Sequence, residues 1–318
     1  SVVTVTVQNA TGCITQASII VNVGAAPTAV ISLSAGAAGE VCNNGSTILD
    51  VTISGGTAPF KIYYTDGVAQ QMVTAYTSPY SVMVIPPINT GDAQTNVTYK
   101  LDSVVYGASN THIQSSGEVV IKVNPTAEIA TTLNDVVICQ GSTVSAQLFT
   151  SNILDASKVS YEWSNDNPNI GLSISGQNGV PSFQADNKVG VRTFANITVT
   201  PKYLSGALNC TGTSKTYKIT VDPKPVFTVI TPAPICEEGN YTFSVSNNIS
   251  GLQPSTSTVT IYSDRACTSP VTTVAPTQTT TYYVRAKSDQ GCLSDVQEIV
   301  LGVNQKPILN SQLTPSVC

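Results

Sequence analysis

An all-β architecture of tandem two-sheet sandwiches is what this sequence predicts, and three observations predict it. Charged residues make up only 10% of the 318, against about 25% in ordinary globular chains, while Thr, Ser, Val, Asn and Gly dominate, the usage of strands joined by turns. Short runs alternate apolar with polar, as sheets with one buried face require, and no long stretch has the 3.6-residue period of a helix. A boundary phrase then returns four times: a Val-rich strand end, a proline linker, a short apolar strand, a cysteine and a turn. The copies run from Val21-Asn22-Val23 to Pro27 and Cys42, from Val123-Asn124-Pro125 to Cys139, from Val221-Asp222-Pro223-Lys224-Pro225 to Cys236, and from Val303-Asn304 to Pro307 and Cys318. These cysteines are spaced by 97, 97 and 82 residues, lengths that suit sandwiches of about seven strands.

Taken in order, residues 1–23 are expected to close one domain, 24–124, 125–222 and 223–304 to form three whole domains, and 305–318 to open another. Ser1 to Val7 already alternates as a strand, with no initiator Met and no signal peptide, so the chain is expected to be a window on a longer polypeptide. The first whole domain shows strands at Thr28 to Ser34, Thr47 to Ser54, Phe60 to Tyr64, Tyr80 to Ile85, Val97 to Tyr106 and Glu118 to Val123. The third shows them at Tyr241 to Ser246, Thr258 to Tyr262, Thr279 to Lys287 and Val296 to Val303. Prolines sit in the linkers, where a missing N–H costs no ladder bond and the ring restricts the hinge. An extended, semi-rigid rod is the expected result, each sandwich adding roughly 35 to 45 Å.

Several phrases resemble a known superfamily. Tyr161-Glu162-Trp163-Ser164-Asn165-Asp166-Asn167-Pro168, with Ile170-Gly171-Leu172 and Pro181-Ser182-Phe183, resembles the PKD-like domains of Bacteroidota surface proteins. Ser54-Gly55-Gly56-Thr57-Ala58-Pro59-Phe60 resembles a turn in the repeats of giant gliding-motility adhesins. Thr279-Thr280-Thr281-Tyr282-Tyr283-Val284-Arg285 with Gly291-Cys292 is similar to immunoglobulin-like domains of proteins exported by the type IX secretion system. The resemblance covers nearly the whole chain and makes 24–124 and 223–304 immunoglobulin-like and 125–222 PKD-like. It implies export across both membranes of a Gram-negative bacterium, anchoring at the outer-membrane surface and, in gliding members, movement by a surface motor.

Eight cysteines in a low-charge chain of this kind suggest disulfides. Cys42, Cys139, Cys236 and Cys318 lie in the first connection of their domains, whereas Cys13, Cys210 and Cys292 lie in last hairpin loops. In immunoglobulin topology those loops occupy opposite ends, tens of ångströms apart, while a disulfide needs Cα atoms about 4.4 to 6.8 Å apart. The last hairpin of one domain does face the bottom of the domain before it in a head-to-tail array. The expected pairs are therefore Cys42 with Cys210, Cys139 with Cys292, and Cys236 with Cys267 inside its own domain, leaving Cys13 and Cys318 for residues outside this window. The alternative leaves some cysteines free and others paired differently.

Catalytic chemistry finds little support. The one histidine, His112, follows a polar stretch and has no nucleophile beside it in sequence. There is no CxxC, no His cluster and no phosphate-cradling glycine loop leading into a helix, so no cofactor is expected. Asn165-Asp166-Asn167 and Asp186-Asn187 offer hard oxygens to calcium, but without a dense acidic loop they read as turn formers. Trp163, the only tryptophan, is expected in the core rather than against a sugar. Of Tyr63 and Tyr64, alternation turns at most one outward. Asp102-Ser103-Val104 resembles the short O-glycosylation motif of Bacteroidota. The net charge of −5 has no basic cluster, which argues against nucleic acid and anionic membrane as partners, and no run of eighteen apolar residues is present to span a bilayer.

The function this predicts is a non-catalytic stalk segment of a repetitive cell-surface adhesin, taking part in adhesion and gliding. Its partners would be neighbouring repeats of the same chain, a surface polysaccharide, or a surface motor or anchor complex. The alternatives are a carbohydrate- or protein-binding module and the accessory domains of a secreted enzyme.

Overall fold

Period-two burial organises this chain from its first sandwich onward. In the run Thr47–Ser54, Thr47, Leu49, Val51 and Ile53 point inward while their neighbours face out, as the pleat dictates. The computed structural model describes residues 2–20, 26–107, 111–206 and 208–307. It divides into two compact units: Ser1–Ile129 with Ser151–Ser160 and Pro201–Thr213, and Ala130–Thr150 with Tyr161–Thr200 and Ser214–Cys318.

The first unit opens with an antiparallel hairpin, β1 (Val2–Gln8) and β2 (Ile14–Ile20), exposed on both faces. A sandwich follows, made of β3 (Thr28–Leu33), β4 (Glu40–Cys42), β5 (Thr47–Ser54), β6 (Phe60–Thr65), β7 (Gln70–Ala75), β8 (Tyr80–Val84), β9 (Thr95–Tyr106), β10 (Thr111–Ser116) and β11 (Glu118–Asn124). One layer is ordered β3-β5-β8 and the other β4-β11-β9-β6-β7. The opening strand is shared between them: β3 pairs parallel with β10 and β4 pairs parallel with β11. An opening strand that changes sheets and runs parallel to the closing one is immunoglobulin-like topology, and the fold is all-β. Between the layers lie Leu49, Val51, Ile62, Val104 and Ile121, all at 0% exposure, each contributing about 1.5–3 kcal/mol by leaving water.

Further strands are β12 (Val136–Cys139), β13 (Thr143–Val144), β14 (Val159–Asn165), β15 (Ser175–Gln177), β16 (Phe183–Gln184), β17 (Thr193–Ser205), β18 (Leu208–Thr211) and β19 (Lys215–Asp222). The main sheet is ordered β12-β19-β17-β14-β15, with β12 again parallel to the closing strand β19. In the second unit this sheet buries Trp163, Ala195, Ile197, Val199, Tyr217 and Ile219. Trp163 is 4% exposed and donates its Nε1–H to the carbonyl of Gly179 at 3.0 Å, so the indole is both packed and satisfied.

The chain ends in β20 (Val226–Val229), β21 (Ile235–Cys236), β22 (Tyr241–Thr242), a one-turn helix α1 (Val245–Asn248), β23 (Ile249–Gln253), β24 (Thr258–Tyr262), β25 (Thr273–Val274), β26 (Thr280–Lys287), β27 (Gln297–Leu301) and β28 (Val303–Asn304). β24-β26-β27 form a sheet and β21 pairs parallel with β28. Phe243 and Tyr282 stack edge to face and, with Phe227, share a core with Val284, Ile299 and Leu301. The strand expected from Tyr241 to Ser246 stops at Thr242 and gives way to α1. Ser244 caps that turn by accepting from the Asn247 N–H, while Asn248 Oδ1 accepts from the Ser244 N–H and its Nδ2 donates to the Tyr241 hydroxyl. Short polar side chains here satisfy the backbone that a ladder would otherwise occupy.

Candidate functional site: two disulfide nodes

Each short parallel strand ends on a cysteine set opposite the last residue of its closing strand: Cys42 beside Asn124, Cys139 beside Asp222 and Cys236 beside Asn304. The same turn follows each, with Gly45, Ser142 and Gly239 donating their N–H to the carbonyl of that cysteine. Two of the three are bonded. In the first unit Cys42 joins Cys210 across a Cα distance of 5.5 Å, and in the second Cys139 joins Cys292 across 5.5 Å. Both pairs are among those named from the sequence. They close spans of 168 and 153 residues, for which the chain-entropy model gives about 5 kcal/mol each.

The surroundings of the first node are apolar underneath and polar at the rim. Cys210 lies on β18 opposite Tyr203, not in an open loop as expected, because β18 folds back on the end of β17. Cys210, Tyr203, Ala127 and Ile153 form a small buried cluster with Cys42, Val159 and Leu208 packed against it. Gly212 lets two backbones meet: a Cβ there would stand 1.8 Å from the Ala127 carbonyl oxygen. At the rim the Glu40 carboxylate accepts from Asn124 Nδ2 at 2.7 Å and from the Ser205 hydroxyl. The Ser205 hydroxyl, then Asn124, hold its pKa below the ordinary carboxylate value.

The second node is dressed with charges. Cys292 is 1% exposed, and its N–H donates to Ser288 Oγ at 3.1 Å. Asp222 is 3% exposed and stands 3.5 Å from Arg192 Nε, while the Lys224 ammonium meets Asp295 at 2.9 Å. The Gln140 N–H donates to the Asp222 carbonyl, and Gln140 Oε1 accepts from the Lys224 N–H.

The shared role of one pair of residues escapes sequence reading, which gives Asn187 only as a turn former and does not single out Asn89. Asn89 is buried and donates Nδ2 to the carbonyls of Ala93 and Val123, while its Oδ1 accepts from the Gly91 N–H. Asn187 repeats this with Val191, Val221, Val189 and Gly190. Each stands 34 residues ahead of the valine it holds. That valine precedes the residue opposite a node cysteine, so each asparagine pins the closing strand at its node. The common 34-residue spacing is the signal that could have found them.

The expected pair Cys236–Cys267 is not formed; both residues are free. β21 flanks β28, the continuation of β27, whereas Cys267 lies in the turn after β24 on the opposite edge of that sheet. Three strand positions, roughly 14 Å, separate β21 from β24, more than a disulfide spans. Cys13 is free and exposed, and Cys318 lies outside the described residues. The Asn165, Asp166 and Asn167 side chains are engaged in local bonds, Asn165 to Leu172 and Ser173, Asp166 to Asn196, and Asn167 to Thr193 and Phe194. Among the described residues no group of three or more His, Cys, Asp or Glu could hold a metal ion, and no helix is long and apolar enough to cross a membrane. His112 pairs on β10 and is exposed. Tyr64 is buried and Tyr63 half-buried.

No family model and no curated protein matches this chain. Among solved structures it is similar to three N-terminal domains of the outer capsid protein Hoc of bacteriophage RB49, at 12% identity over 89% of this chain and 100% of that one, with a TM-score of 0.32. It is also similar to extracellular domains 3–5 of Drosophila OTK, at 12% identity over 87% and 97% with a TM-score of 0.29. A third likeness, to the fibronectin(III)-like modules of Clostridium thermocellum CbhA, has 15% identity over 61% and 94% with a TM-score of 0.28. TM-scores this low carry no inference about this chain, whose tandem immunoglobulin-like character rests on its own sheets.

Proposed function

We propose that this chain is a non-catalytic stalk segment of a repetitive cell-surface adhesin, built from three whole modules, 24–124, 125–222 and 223–304, whose task is to transmit tension. One observation carries the reading, the covalent connectivity of the two nodes. Because the disulfide spans interleave, three runs of chain connect the same two nodes: 97 residues from Cys42 to Cys139, 71 from Cys139 to Cys210 and 82 from Cys210 to Cys292. A pull on the chain is divided among three tethers, and breaking one leaves two. A binding or catalytic module has no need of such redundancy; a strut under load does.

Disulfides of this reach belong to an oxidising compartment, which supports an extracellular location. The finer reading, a type IX exported, outer-membrane-anchored adhesin that takes part in gliding, follows from the phrases shared with Bacteroidota surface proteins. Partners would be neighbouring repeats and, beyond them, a surface polysaccharide or a motor complex. Antibody against residues 26–307 applied to live cells of the source organism tests this. Surface label that travels along the cell is expected; static surface label would retain the stalk and remove gliding, and label confined to the medium would overturn both.

A further inference from the structure

We propose that Cys236 and Cys13 are complementary open halves of nodes like the two that are closed, so that the Cys236 end of one copy of this chain takes the Cys13 hairpin of a second copy, standing where the next repeat of a longer array would, and joins it through a disulfide. The proposal deepens the stalk reading and rests on it. Both closed nodes define the strand half, which Cys236 matches, and the Cys139–Cys292 node defines the hairpin half, which Cys13 matches; Cys210 lies instead on β18 opposite Tyr203. On the strand side, Cys236 shares with Cys42 and Cys139 the parallel pairing to the last residue of the closing strand and the turn closed by the third residue onward. Glu237 N–H donates to the Asn304 carbonyl at 2.9 Å, as Gln140 N–H does to that of Asp222 at 2.8 Å.

On the hairpin side, Cys13 repeats Cys292 bond for bond. Asn9 N–H to the Cys13 carbonyl and Gly12 N–H to the Asn9 carbonyl, both 3.0 Å, correspond to Ser288 N–H to Cys292 and Gly291 N–H to Ser288, both 2.9 Å. The Cys13 N–H donates to Asn9 Oδ1 as the Cys292 N–H donates to Ser288 Oγ, and Gly12 and Gly291 share φ near +86° and +87°. What differs is cover. Cys210 and Cys292 are 2% and 1% exposed, and Asn124 and Asp222 are 0% and 3%, whereas Cys13, Cys236 and Asn304 are exposed. The surfaces that a closed node hides are open here. Cys267 shares none of this: it sits in a turn at φ +58° with its thiol donating to the Arg265 carbonyl.

Closure needs an oxidant, for which a small-molecule disulfide suffices. The Cys236 thiolate attacks oxidised glutathione and releases one glutathione thiolate, and the Cys13 thiolate then attacks the Cys236 sulfur and releases the second. Two protein thiols lose two electrons and two protons, and one glutathione disulfide becomes two thiols.

The test mixes two variants of this 318-residue chain, Cys13→Ala and Cys236→Ala, with oxidised glutathione, and maps the non-reduced peptides. Only molecules whose Cys42–Cys210 and Cys139–Cys292 bonds are intact are scored, so that misfolding is not counted. A heterodimer linked Cys236 to Cys13 is expected, forming about tenfold faster than either symmetric dimer, the factor that ~1.4 kcal/mol of docking provides. Symmetric links forming as fast, a Cys236–Cys267 bond, or retention of glutathione on both sulfurs without cross-linking would overturn the proposal. The sulfur map does not depend on where the protein resides, so its failure is separable from failure of the stalk reading.

Discussion

The two closed nodes share a disulfide, a parallel strand end and a pinning asparagine, and differ in the polar groups around them. At Cys42–Cys210 a carboxylate gathers a hydroxyl and an amide above a small apolar cluster, whereas at Cys139–Cys292 two ion pairs, Arg192–Asp222 and Lys224–Asp295, involve the ladder partner of Cys139 and a residue bonded to Gln140. The difference teaches that the repeat keeps the position of the sulfur and leaves its noncovalent dressing free to vary. The first node should respond to acid and the second to salt, while both respond to reductant.

The largest effect expected is from the sulfurs. Replacing Cys42 and Cys210, or Cys139 and Cys292, by Ala should lower unfolding free energy by up to about 5 kcal/mol per node, read from denaturant melts of the oxidised proteins. Equal losses at the two nodes would show that dressing matters little; a smaller loss at one would show that its surroundings hold without the bond. Next come the pinning asparagines. Asn89→Ala or Asn187→Ala leaves buried carbonyls without donors and should cost about 1–3 kcal/mol, with hydrogen exchange accelerating first at the closing strand of the altered sandwich.

How legible these features are in the sequence follows from the same contrast. Strands such as Thr47–Ser54 and Glu118–Asn124 show in their alternation because one face is buried and the other wet. The bonded sulfurs are legible because loop geometry forbids the pairing inside one sandwich. That Cys236 and Cys267 stay free is not legible, because sharing a domain says nothing about which sheet edge a turn falls on. Asn89 and Asn187 lie in loops, where alternation is silent, and α1 is hidden because Ser244 and Asn248 act through side chains bonded to neighbouring backbone and a tyrosine hydroxyl. Glu40 gave no signal because its partner Ser205 is 165 residues away.

A pH titration sharpens the comparison further. The Glu40 pKa is lowered in the folded chain, so its contribution is fully present above the unfolded carboxylate value of about 4.3 and is lost as pH falls through the lower folded value. Exchange at Ser205 and Leu208 should therefore quicken on acidification over that window, and Glu40→Gln should flatten the response. The smallest effect belongs to Lys224–Asp295, where the carboxylate is 86% exposed. Asp295→Asn should cost less than about 1 kcal/mol, and that cost should vanish in about 1 M salt.

Pulling single molecules from both termini, with and without reductant, tests the shared-tether account most directly. With both bonds intact the path from Cys42 to Cys292 is limited by its shortest run, 71 residues, roughly 250 Å when extended, and reductant should release all 250 residues between those positions, roughly 850 Å. A gain of roughly 600 Å on reduction is predicted; an extended length that reductant leaves unchanged would contradict the account.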